Sequence, residues 1–398
     1  MLNTLELKEA VVKEAKALEG YVISARRQIH QFPETAFEEV QTSNFIEQEL
    51  RKIGYDDIRK VANTGLMATL PGKAHGKTVA LRADIDALNV QEENNVPYKS
   101  QNPGKHHACG HDAHTAMLLG AAKIFFQHKD HLPGPLKLFF QPAEEDGGGG
   151  KLIVEEGHLD DVDVAFAIHV WVHLPAGTIA TRKGAMLASA DDFSITVRGK
   201  GGGAAVPQYA IDPTAVLVDI YNALQKIVSR EISPFANAAL TAPMLDGSNA
   251  FNIIPNEAKL QGTFRTMDPA VRTHIRKRIK EIVQGYSQAW RCKGSVDFDA
   301  TVSYPPLVND GEAVDNLKKI IQPLDTVKTV EPSMGSEDFT FYLEKAKGAM
   351  IALGIYNEEK GIIYPNHHPK FDVDEEILWK GSAAYALLGF YSLLESSS

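Results

Sequence analysis

The chain has 398 residues, a length that suggests about two domains, and 44% of its residues are hydrophobic, as in globular proteins. Its formal net charge of −10 argues against nucleic acid as a partner, since nucleic acid selects basic surfaces, and gives no support for binding to anionic membranes. No apolar run approaches the ~20 residues of a membrane span, and the N-terminal segment is an amphipathic helix pattern without a signal-peptide core.

The first strand-like run with polar residues at its end is TVALRADID (78–86). It is apolar through Leu81 and then carries Arg82, Asp84 and Asp86 to its carboxyl end. In α/β proteins, ligands bind beyond the carboxyl ends of parallel strands. These side chains are therefore expected near a functional site.

The segment HHACGHDAH (106–114) is the strongest candidate for a metal site. Cys109 and His111 stand two residues apart across a glycine, and the following residues, 112–128, predict an apolar helix. A thiolate at a helix N-terminus and beside a metal would be held ionised. The alternative is that Cys109 is a small buried residue and His111 merely begins the helix. Four histidines within nine residues favour the metal.

The segment QPAEE (141–145) follows LKLFF (136–140), a continuous apolar run typical of a central strand. Adjacent residues in a turning segment point in different directions, so one of Glu144 and Glu145 can bind a metal while the other faces the water that the metal activates. This division of roles predicts a hydrolase. The alternative is a solvated acidic loop, because Asp146 and several glycines follow.

Two further strand-like runs end at histidines. VDVAFAI (162–168) is followed directly by His169, and GAMIALGI (348–355) precedes the loop that carries His367 and His368. A single histidine at a strand end is more often structural. Five strand ends with residues of one chemistry are hard to explain independently, so we expect them to converge on one site.

The middle of the chain differs from the two outer segments in the order of its predicted helices and strands. It predicts strand 192–199, helix 213–230, strands 237–245 and 257–267, helix 270–290 and strand 294–304. This β-α-β-β-α-β order describes a ferredoxin-like α+β domain. The predicted fold is therefore α/β, with a catalytic α/β/α sandwich and a mostly parallel sheet formed by residues 1–187 and 302–398, and an inserted lid and dimerisation domain at 188–301.

Together, RRQIHQFPE (26–34), RADIDAL (82–88), HACGHD (107–112), PAEE (142–145) and GSEDF (335–339) resemble the M20 metallopeptidases and amidohydrolases. The likeness is to the branch with aminoacylases, archaeal carboxypeptidases and auxin-conjugate hydrolases. The resemblance implies a two-metal centre and a general base, Glu144. It implies the metal ligands Cys109, His111, Glu145, His169 and His367. It favours His367 over His368, because the family's ligand is the first residue of that pair.

The implied reaction releases an amino acid from an N-acyl amino acid or short peptide. The metal pair acidifies a water, Glu144 takes its proton, and the hydroxide attacks the amide carbonyl. Zinc suits mixed thiolate, imidazole and carboxylate ligands best, although cobalt, manganese or nickel fit the same ligands. A single structural zinc is the alternative. Because metal-bound histidines usually donate their other N–H to a carboxylate, we expect positioning roles for Asp84, Asp86 and Asp112, and one for His114.

In the inserted domain, the resemblance implies that Asn252 lies near the substrate and that Arg265 holds a substrate carboxylate by bidentate hydrogen bonds. From the strand pattern alone, Arg265 is more often a surface charge. The resemblance also implies a homodimer, or a dimer of dimers, formed through this domain.

One departure from the family pattern concerns the segment GKGGGAAVPQ (199–208). Gly203 stands where the family carries the histidine that stabilises the oxyanion across the dimer, and Gln208 stands where a second histidine is common. Losing one oxyanion donor typically reduces turnover about a hundred- to a thousand-fold. An engineered or inactivated variant, a natural member with another donor, and a catalytically silent, metal-bound dimer that binds such ligands are the alternatives.

The cysteine content bears on location. The sequence contains Cys109 and Cys292 and no other cysteine. If Cys109 binds metal, Cys292 remains a free thiol, whereas a disulfide between them would destroy the site. The first arrangement predicts a cytoplasmic protein.

Overall fold

The computed structural model describes residues 4–73, 76–298 and 301–392. The chain divides into two compact units: a larger one containing residues up to 184, 308–331 and from 338 onward, and a smaller one containing 185–307 and 332–337. The boundaries expected from sequence, 187/188 and 301/302, stay predictions. The order of predicted helices and strands does not indicate that residues 332–337 belong to the smaller unit.

The α-helices of the described residues are α1 Thr4–Ala17, α2 Glu19–His30, α3 Val40–Ile53, α4 His111–Gln127, α5 Gly149–Glu155, α6 Pro213–Lys226, α7 Pro269–Ala289, α8 Gly311–Ile321, α9 Thr340–Leu343 and α10 Leu378–Tyr391. The strands are β1 Ile58–Val61, β2 Gly65–Leu70, β3 Val79–Asp84, β4 Leu136–Gln141, β5 Val164–Pro175, β6 Ile179–Thr181, β7 Gly184–Leu187, β8 Asp191–Arg198, β9 Gly202–Gly203, β10 Ala238–Asp246, β11 Ile253–Ile254, β12 Glu257–Thr266, β13 Lys293–Asp297, β14 Leu307–Asn309, β15 Lys328–Thr329 and β16 Lys347–Tyr356.

A mostly parallel sheet forms the centre of the larger unit, with strand order β1-β2-β4-β3-β5-β16-β6-β15. Its central strands β4, β3, β5 and β16 run parallel to their neighbours in this group. Both faces are covered, which is why these strands are continuous apolar runs. Phe140 lies in the core with α4 and α10, whereas Phe139 packs on the other face against Tyr342 of α9, with ring centroids 5.6 Å apart. The predicted α/β sandwich is confirmed.

Strand β5 is longer than the sequence indicates. The apolar run ends at Ile168, but the strand continues to Pro175 because β16 pairs with it along this whole length, from Lys347 to Tyr356. His169 therefore lies within the strand, and not directly after it. Its side chain is nevertheless half-buried, at the level where β3 ends.

The smaller unit contains an antiparallel sheet with strand order β10-β12-β8-β13. Helices α6 and α7 supply most of the remaining core, and the chain order is the predicted β-α-β-β-α-β. Both helices begin with a proline after an aspartate cap, Asp212 and Asp268, whose side chains accept the exposed backbone N–H groups. Strand β13 ends at Asp297, before the predicted end at 304, and residues 299–300 lie outside the described residues.

Among the residues described, no helix combines the length and the apolar character that crossing a membrane requires.

Candidate metal centre

The register of the parallel strands brings the predicted site residues to one level of the sheet. Asp84 at the end of β3 pairs with Gln141 at the end of β4, and Arg82 pairs with Ala167 of β5. Two residues beyond that last pair, Asp84 and His169 reach the same level. The segments that follow β3 and β4 therefore leave the sheet side by side.

Helix α4 brings the thiol and the first imidazole to this edge. Gly110, the residue before the helix, has φ +87°, and a Cβ there would lie 2.4 Å from Val170 Cγ2. Only glycine fits this turn without displacing β5. Cys109 and His111 flank it and are both buried.

The thiol of Cys109 is shared by two sets of candidate ligands. One set is Cys109, His111 and His169; the other is Cys109, Glu145 and His367; in each set the ligand atoms lie within 4.8 Å of one another. Cys109 Sγ is 3.5 Å from His169 Nε2, and Glu145 Oε1 is 3.1 Å from His367 Nε2. Around a tetrahedral zinc, the corresponding separations are about 3.6 Å for S and N and about 3.3 Å for N and O. The two sets therefore fit two divalent ions, and Cys109 would be available to both.

The Nε2 atom of His111 is a further sign that the site fits cations. It is buried and makes no hydrogen bond within the described part of the chain. Its neighbours are carboxylate oxygens at 3.7 Å from Asp84 and 3.8 Å from each of Glu144 and Glu145. These distances are too long for hydrogen bonds, so Nε2 remains available to bind a cation.

Hydrogen bonds set the orientation of the candidate ligands. Asp86 accepts from His111 Nδ1 at 3.1 Å and from the Glu145 backbone N–H at 3.0 Å. His169 Nδ1 donates to the Val170 carbonyl at 2.7 Å, which leaves the Nε2 lone pair facing the thiol. Such bonds select the tautomer that can bind a metal.

Asp84 and His114 form a second layer behind His111. The Val170 N–H donates to His114 Nε2, so His114 Nδ1 carries a proton and donates to Asp84 at 2.5 Å. Arg82 also donates to Asp84, at 2.7 Å. Burial acts most strongly on Asp84 and opposes its ionisation, but His111, His114 and Arg82 outweigh it and hold its pKa well below the usual range.

Glu144 and Glu145 follow a strained residue. Ala143 has φ +54° and is fully buried. Its N–H donates to Glu39 Oε1 at 2.9 Å, and its carbonyl accepts from the Gly149 N–H at 3.0 Å. A left-handed alanine costs about 1–2 kcal/mol, so these bonds hold the turn that presents the two carboxylates. Glu144 is 5% exposed.

His367 reaches the site from an exposed loop. It also has a left-handed backbone, with φ +70°, and its N–H donates to the Ala108 carbonyl at 2.7 Å. The neighbouring His368 faces away from this contact: its ring stacks on Tyr364, and its Nδ1 accepts from the Lys370 N–H. Of the two adjacent histidines, His367 is the one grouped with Cys109.

The cluster stabilises the ionised thiol in the absence of metal. Burial is the largest influence on Cys109 and opposes ionisation, as does Glu145, yet His169 and His111 bring its pKa down to about 6. A hydrogen bond to Cys109 and then one to Glu145 raise the pKa of His367 to about 10. In the metal-free protein, the positive charge of protonated His367 thus balances the negative charge of the Cys109 thiolate. A bound cation would supply that positive charge and displace the proton from His367.

Asp112 does not contact the candidate ligands. It is fully buried, and its Oδ2 accepts from Arg26 Nε and His30 Nδ1, each at 2.7 Å. Consecutive side chains of an α-helix point about 100° apart, so Asp112 faces Arg26 and His30 and not the ligands beside His111.

In the smaller unit, the structure brings Gly203 and Asn252 together. Strands β9 and β11 pair Gly203 with Ile253, and the Ala204 N–H donates to the Asn252 carbonyl at 3.0 Å. Gln208 lies in a 3-10 turn, Pro207–Tyr209. Arg265 lies on β12 and is half-buried, and its Nη1 is buried without donating a hydrogen bond to any described residue. That burial is unusual for a surface charge.

Sequence reasoning missed several residues that organise the site. Glu39 holds Ala143, Asn366 Nδ2 lies 3.5 Å from Cys109 Sγ, and Asp338 accepts from Arg82 at 2.8 Å and from Gln141. Asp338 belongs to the GSEDF segment, so this motif could have indicated its role from the sequence. Asn366 directly precedes the predicted ligand His367, which was its available signal. Glu39 has no local signal, because only folding brings it to the site.

Both cysteines are free and buried, so the disulfide alternative is wrong. Cys109 lies in the larger unit and Cys292 in the smaller one.

Comparison with known proteins gives consistent matches. Residues 80–389 match the model of peptidase family M20/M25/M40. Thermostable carboxypeptidase 1 of Saccharolobus solfataricus is 41% identical over 387 residues, covering 96% of this chain and 98% of the relative. IAA-amino acid hydrolase ILR1-like 4 of Arabidopsis thaliana is 40% identical over 380 residues, covering 94% and 86%.

A solved structure extends the comparison to the fold. The YXEP protein of Bacillus subtilis, described as a dinuclear metal-binding peptidase of the M20 family, superposes with a TM-score of 0.82. The two sequences are 32% identical, and the match covers 95% of this chain and 99% of that one.

Proposed function

Since this chain belongs to peptidase family M20/M25/M40 and is a metal-dependent hydrolase, we propose that it cleaves the amide bond of N-acyl amino acids or short peptides. The product is a free amino acid. The observation that carries the proposal is the thiol of Cys109, which belongs to two sets of candidate ligands. Two ligand sets that meet at one thiol suit a pair of ions, whereas a single structural zinc would account for one set only.

We propose the following ligands for two divalent ions, most consistent with zinc: Cys109, His111 and His169 for one, and Cys109, Glu145 and His367 for the other. Cobalt, manganese and nickel fit the same donor set. When bound, the pair would acidify a water and polarise the substrate carbonyl.

Glu144 is the proposed general base. Its Oε2 lies 3.8 Å from His111 Nε2, so it borders the cluster while Glu145 turns toward His367. From this position it can accept a proton from the attacking water and return it to the leaving amine. The buried surroundings of Glu144 exclude bulk solvent from this transfer.

The substrate class rests on the relatives and on one residue of the smaller unit. The relatives are named as a carboxypeptidase, an IAA-amino acid hydrolase and an N-acetylcysteine deacetylase, which share an amino-acid product. We propose that Arg265 binds the carboxylate of that amino acid through its unpartnered guanidinium nitrogen, with Asn252 nearby.

Replacing Glu144 by glutamine tests the proposed base. The amide cannot accept a proton, so kcat for N-acetyl amino acids should fall about a hundred- to ten-thousand-fold while metal content stays the same. The matched control is Asp146→Asn, which removes the same charge from an exposed carboxylate two residues away. Wild-type turnover in Glu144→Gln would exclude the assignment.

Gly203 permits a direct test of the departure from the family pattern. A Cβ at this position would meet only Val206 Cγ2, at 3.6 Å, so the backbone accommodates a side chain. If the oxyanion lacks a donor, Gly203→His should raise kcat by up to about a hundredfold. The control is Ala204→His, which adds the same imidazole to the next exposed residue. Unchanged turnover would indicate that another group already serves. Nothing in the comparisons supports the catalytically silent alternative.

We also propose that the smaller unit mediates dimerisation. It exposes several large apolar side chains, among them Tyr209, Phe235, Met244 and Phe251, and burying such side chains against a second copy of the chain would stabilise a dimer. Sedimentation velocity of the full chain should give twice the monomer mass. The cytoplasmic location stays a prediction.

A further inference from the structure

A second buried group of metal-ligand side chains lies outside the centre at Cys109. It comprises His30 at the end of α2, Glu92 and His106, and one ligand atom of each lies within 4.8 Å of the others. All three side chains are buried, with His30 and His106 at 0% exposure and Glu92 at 1%. None of them is a proposed ligand of the two ions at Cys109.

His106 is the member of this group whose burial is not compensated by hydrogen bonds within the described residues. Both of its ring nitrogens are buried without a hydrogen-bond partner among the described residues. Leaving such a group unpaired costs about 1–3 kcal/mol for each atom. Its Nε2 points at Glu92 Oε1 from 3.8 Å, and its ring meets the His30 ring edge-on, with centroids 5.3 Å apart.

His30 is oriented as a metal ligand would be. Its Nδ1 lies 2.7 Å from Asp112 Oδ2, a contact in which the ring donates its proton to the carboxylate. The remaining Nε2 faces Glu92 Oε1 at 3.2 Å. A carboxylate behind a histidine whose other nitrogen faces a ligand set is the usual arrangement around bound zinc. Two nitrogen or oxygen ligands of a tetrahedral zinc lie about 3.3 Å apart, close to this distance.

One positive charge lies beside the group, with Arg26 Nη2 3.1 Å from His30 Nδ1, but carboxylates surround that guanidinium. Arg26 donates to three carboxylates, those of Asp112, Asp372 and Glu375. Glu92 has a different set of partners in the described part of the chain: the two imidazoles, the Asn94 amide and the Ser100 N–H, with no lysine or arginine among them. A buried carboxylate paired with imidazoles is costly unless a cation or a proton on one of the rings neutralises it.

We propose that His30, Glu92 and His106 bind an additional zinc-type divalent ion. Two imidazoles and a carboxylate are ligands that zinc takes, with a water able to complete the tetrahedron. The competing occupant is a proton on His30 shared with Glu92. That proton would satisfy His30 and Glu92, but it would leave His106 with both nitrogens unpaired.

The place of this group in the fold gives the ion a structural role. Residues 85–110, between β3 and α4, contain no helix or strand. Long segments of this kind inside a compact unit need anchoring. Leu88 and His106 pair through two backbone hydrogen bonds of 3.0 Å, and the proposed ion would tie Glu92 and His106 to α2. The same segment ends at Cys109, so the ion would steady the approach to the catalytic thiol.

Metal analysis tests the proposal. Protein stripped with a chelator is reloaded with zinc, freed of excess by gel filtration and measured by elemental analysis beside His106→Leu. We expect one zinc ion fewer per chain in the variant, whatever the total in the unaltered protein. The difference is thus independent of whether the Cys109 centre fills. The control is His107→Leu, which removes an equally buried and unpartnered imidazole outside the group and should keep the full count.

Equal zinc in His106→Leu and the unaltered chain, or an equal loss in both variants, overturns the proposal. Crystals of the unaltered protein grown with zinc decide the matter if His106→Leu does not fold. An anomalous difference peak at the zinc edge, bounded by His30, Glu92 and His106, supports the site. The absence of a peak at this position, in crystals grown with excess zinc, overturns the proposal. A proton or a water molecule gives no anomalous signal at the zinc edge.

Discussion

At the scale of single residues, one carboxylate orients two of the candidate ligands. Asp86 accepts from the His111 ring and from the Glu145 backbone through separate oxygens. It is 1% exposed, so solvent does not compete for either bond. The tautomer of His111 and the path of the chain at Glu145 therefore depend on the same side chain. Asp86 acts on the metal through its ligands and not by direct contact.

Replacement of Asp86 by asparagine should weaken metal binding. The amide keeps one acceptor but places an NH2 group against a donor, either the His111 Nδ1–H or the Glu145 N–H. We expect the affinity for zinc to fall about 10- to 100-fold, measured by competition with a chromophoric chelator. Asp57→Asn, at an exposed carboxylate paired with Arg59, serves as the control. Unchanged affinity in Asp86→Asn would show that these bonds do not orient the ligands.

At the scale of elements, the start of α4 positions two of the candidate ligands, Cys109 and His111. The helix begins at His111, and the turn through Gly110 places Cys109 against β5. The helix N-terminus adds partial positive charge, which favours a thiolate beside it. The left-handed conformation of Gly110 and the contact with Val170 explain why a glycine separates the two ligand residues.

Substitution of Gly110 by alanine should damage this turn. The new Cβ would lie 2.4 Å from Val170 Cγ2, in a backbone conformation that alanine rarely adopts. We expect a loss of roughly 1–3 kcal/mol in the free energy of unfolding and reduced metal content, measured by urea denaturation and elemental analysis. Gly104→Ala separates the two causes, because Gly104 also has positive φ, +76°, but its Cβ would meet nothing within 4 Å. Equal effects of both substitutions would contradict the steric argument.

At the scale of the whole molecule, the proposed chemistry and the largest core belong to the same unit. The sheet, α4 and α10 bury the apolar side chains that hold the strand ends in register. The stability of this unit is therefore linked to the protonation of acids enclosed near the site. Glu39 is the clearest case: burial, the largest influence, raises its pKa to about 7, opposed by its bond from Thr64.

The pH dependence of stability should report Glu39. Because its pKa is raised on folding, its ionisation favours the unfolded chain. The destabilisation is absent below the ordinary pKa of 4.5 and grows as pH rises to about 7, reaching about 3 kcal/mol. Glu39→Gln mimics the protonated form and can keep both hydrogen bonds.

Urea denaturation of the metal-free proteins measures this effect. The variant should gain stability over the unaltered chain at pH 8 and show little gain at pH 4. Glu93→Gln, at an exposed carboxylate, is the control and should show no such difference. A gap between Glu39→Gln and the unaltered chain that is the same at both pH values would contradict the assignment.

Much of the fold follows from local patterns in the sequence. Continuous apolar runs predict the central strands, and the helices predicted at 213–230 and 270–290 begin within one residue of α6 and α7. Helix α7 also ends within one residue of its prediction, whereas α6 ends four residues earlier, at Lys226. Such patterns are readable because periodicity and capping involve neighbouring residues. Strand β5 is the exception: its extension to Pro175 depends on pairing with β16, which lies far away in the chain.

By itself, the sequence determined which residue types stand at the strand ends, and hence that the protein has the ligands for metal-dependent hydrolysis. Tertiary structure decided how they combine. The thiol shared between two ligand sets, the selection of His367 over His368 and the turning of Asp112 toward Arg26 all require residues from distant segments. The physical reason is that side-chain direction depends on strand register and backbone conformation, which are set by long-range packing and not by local sequence.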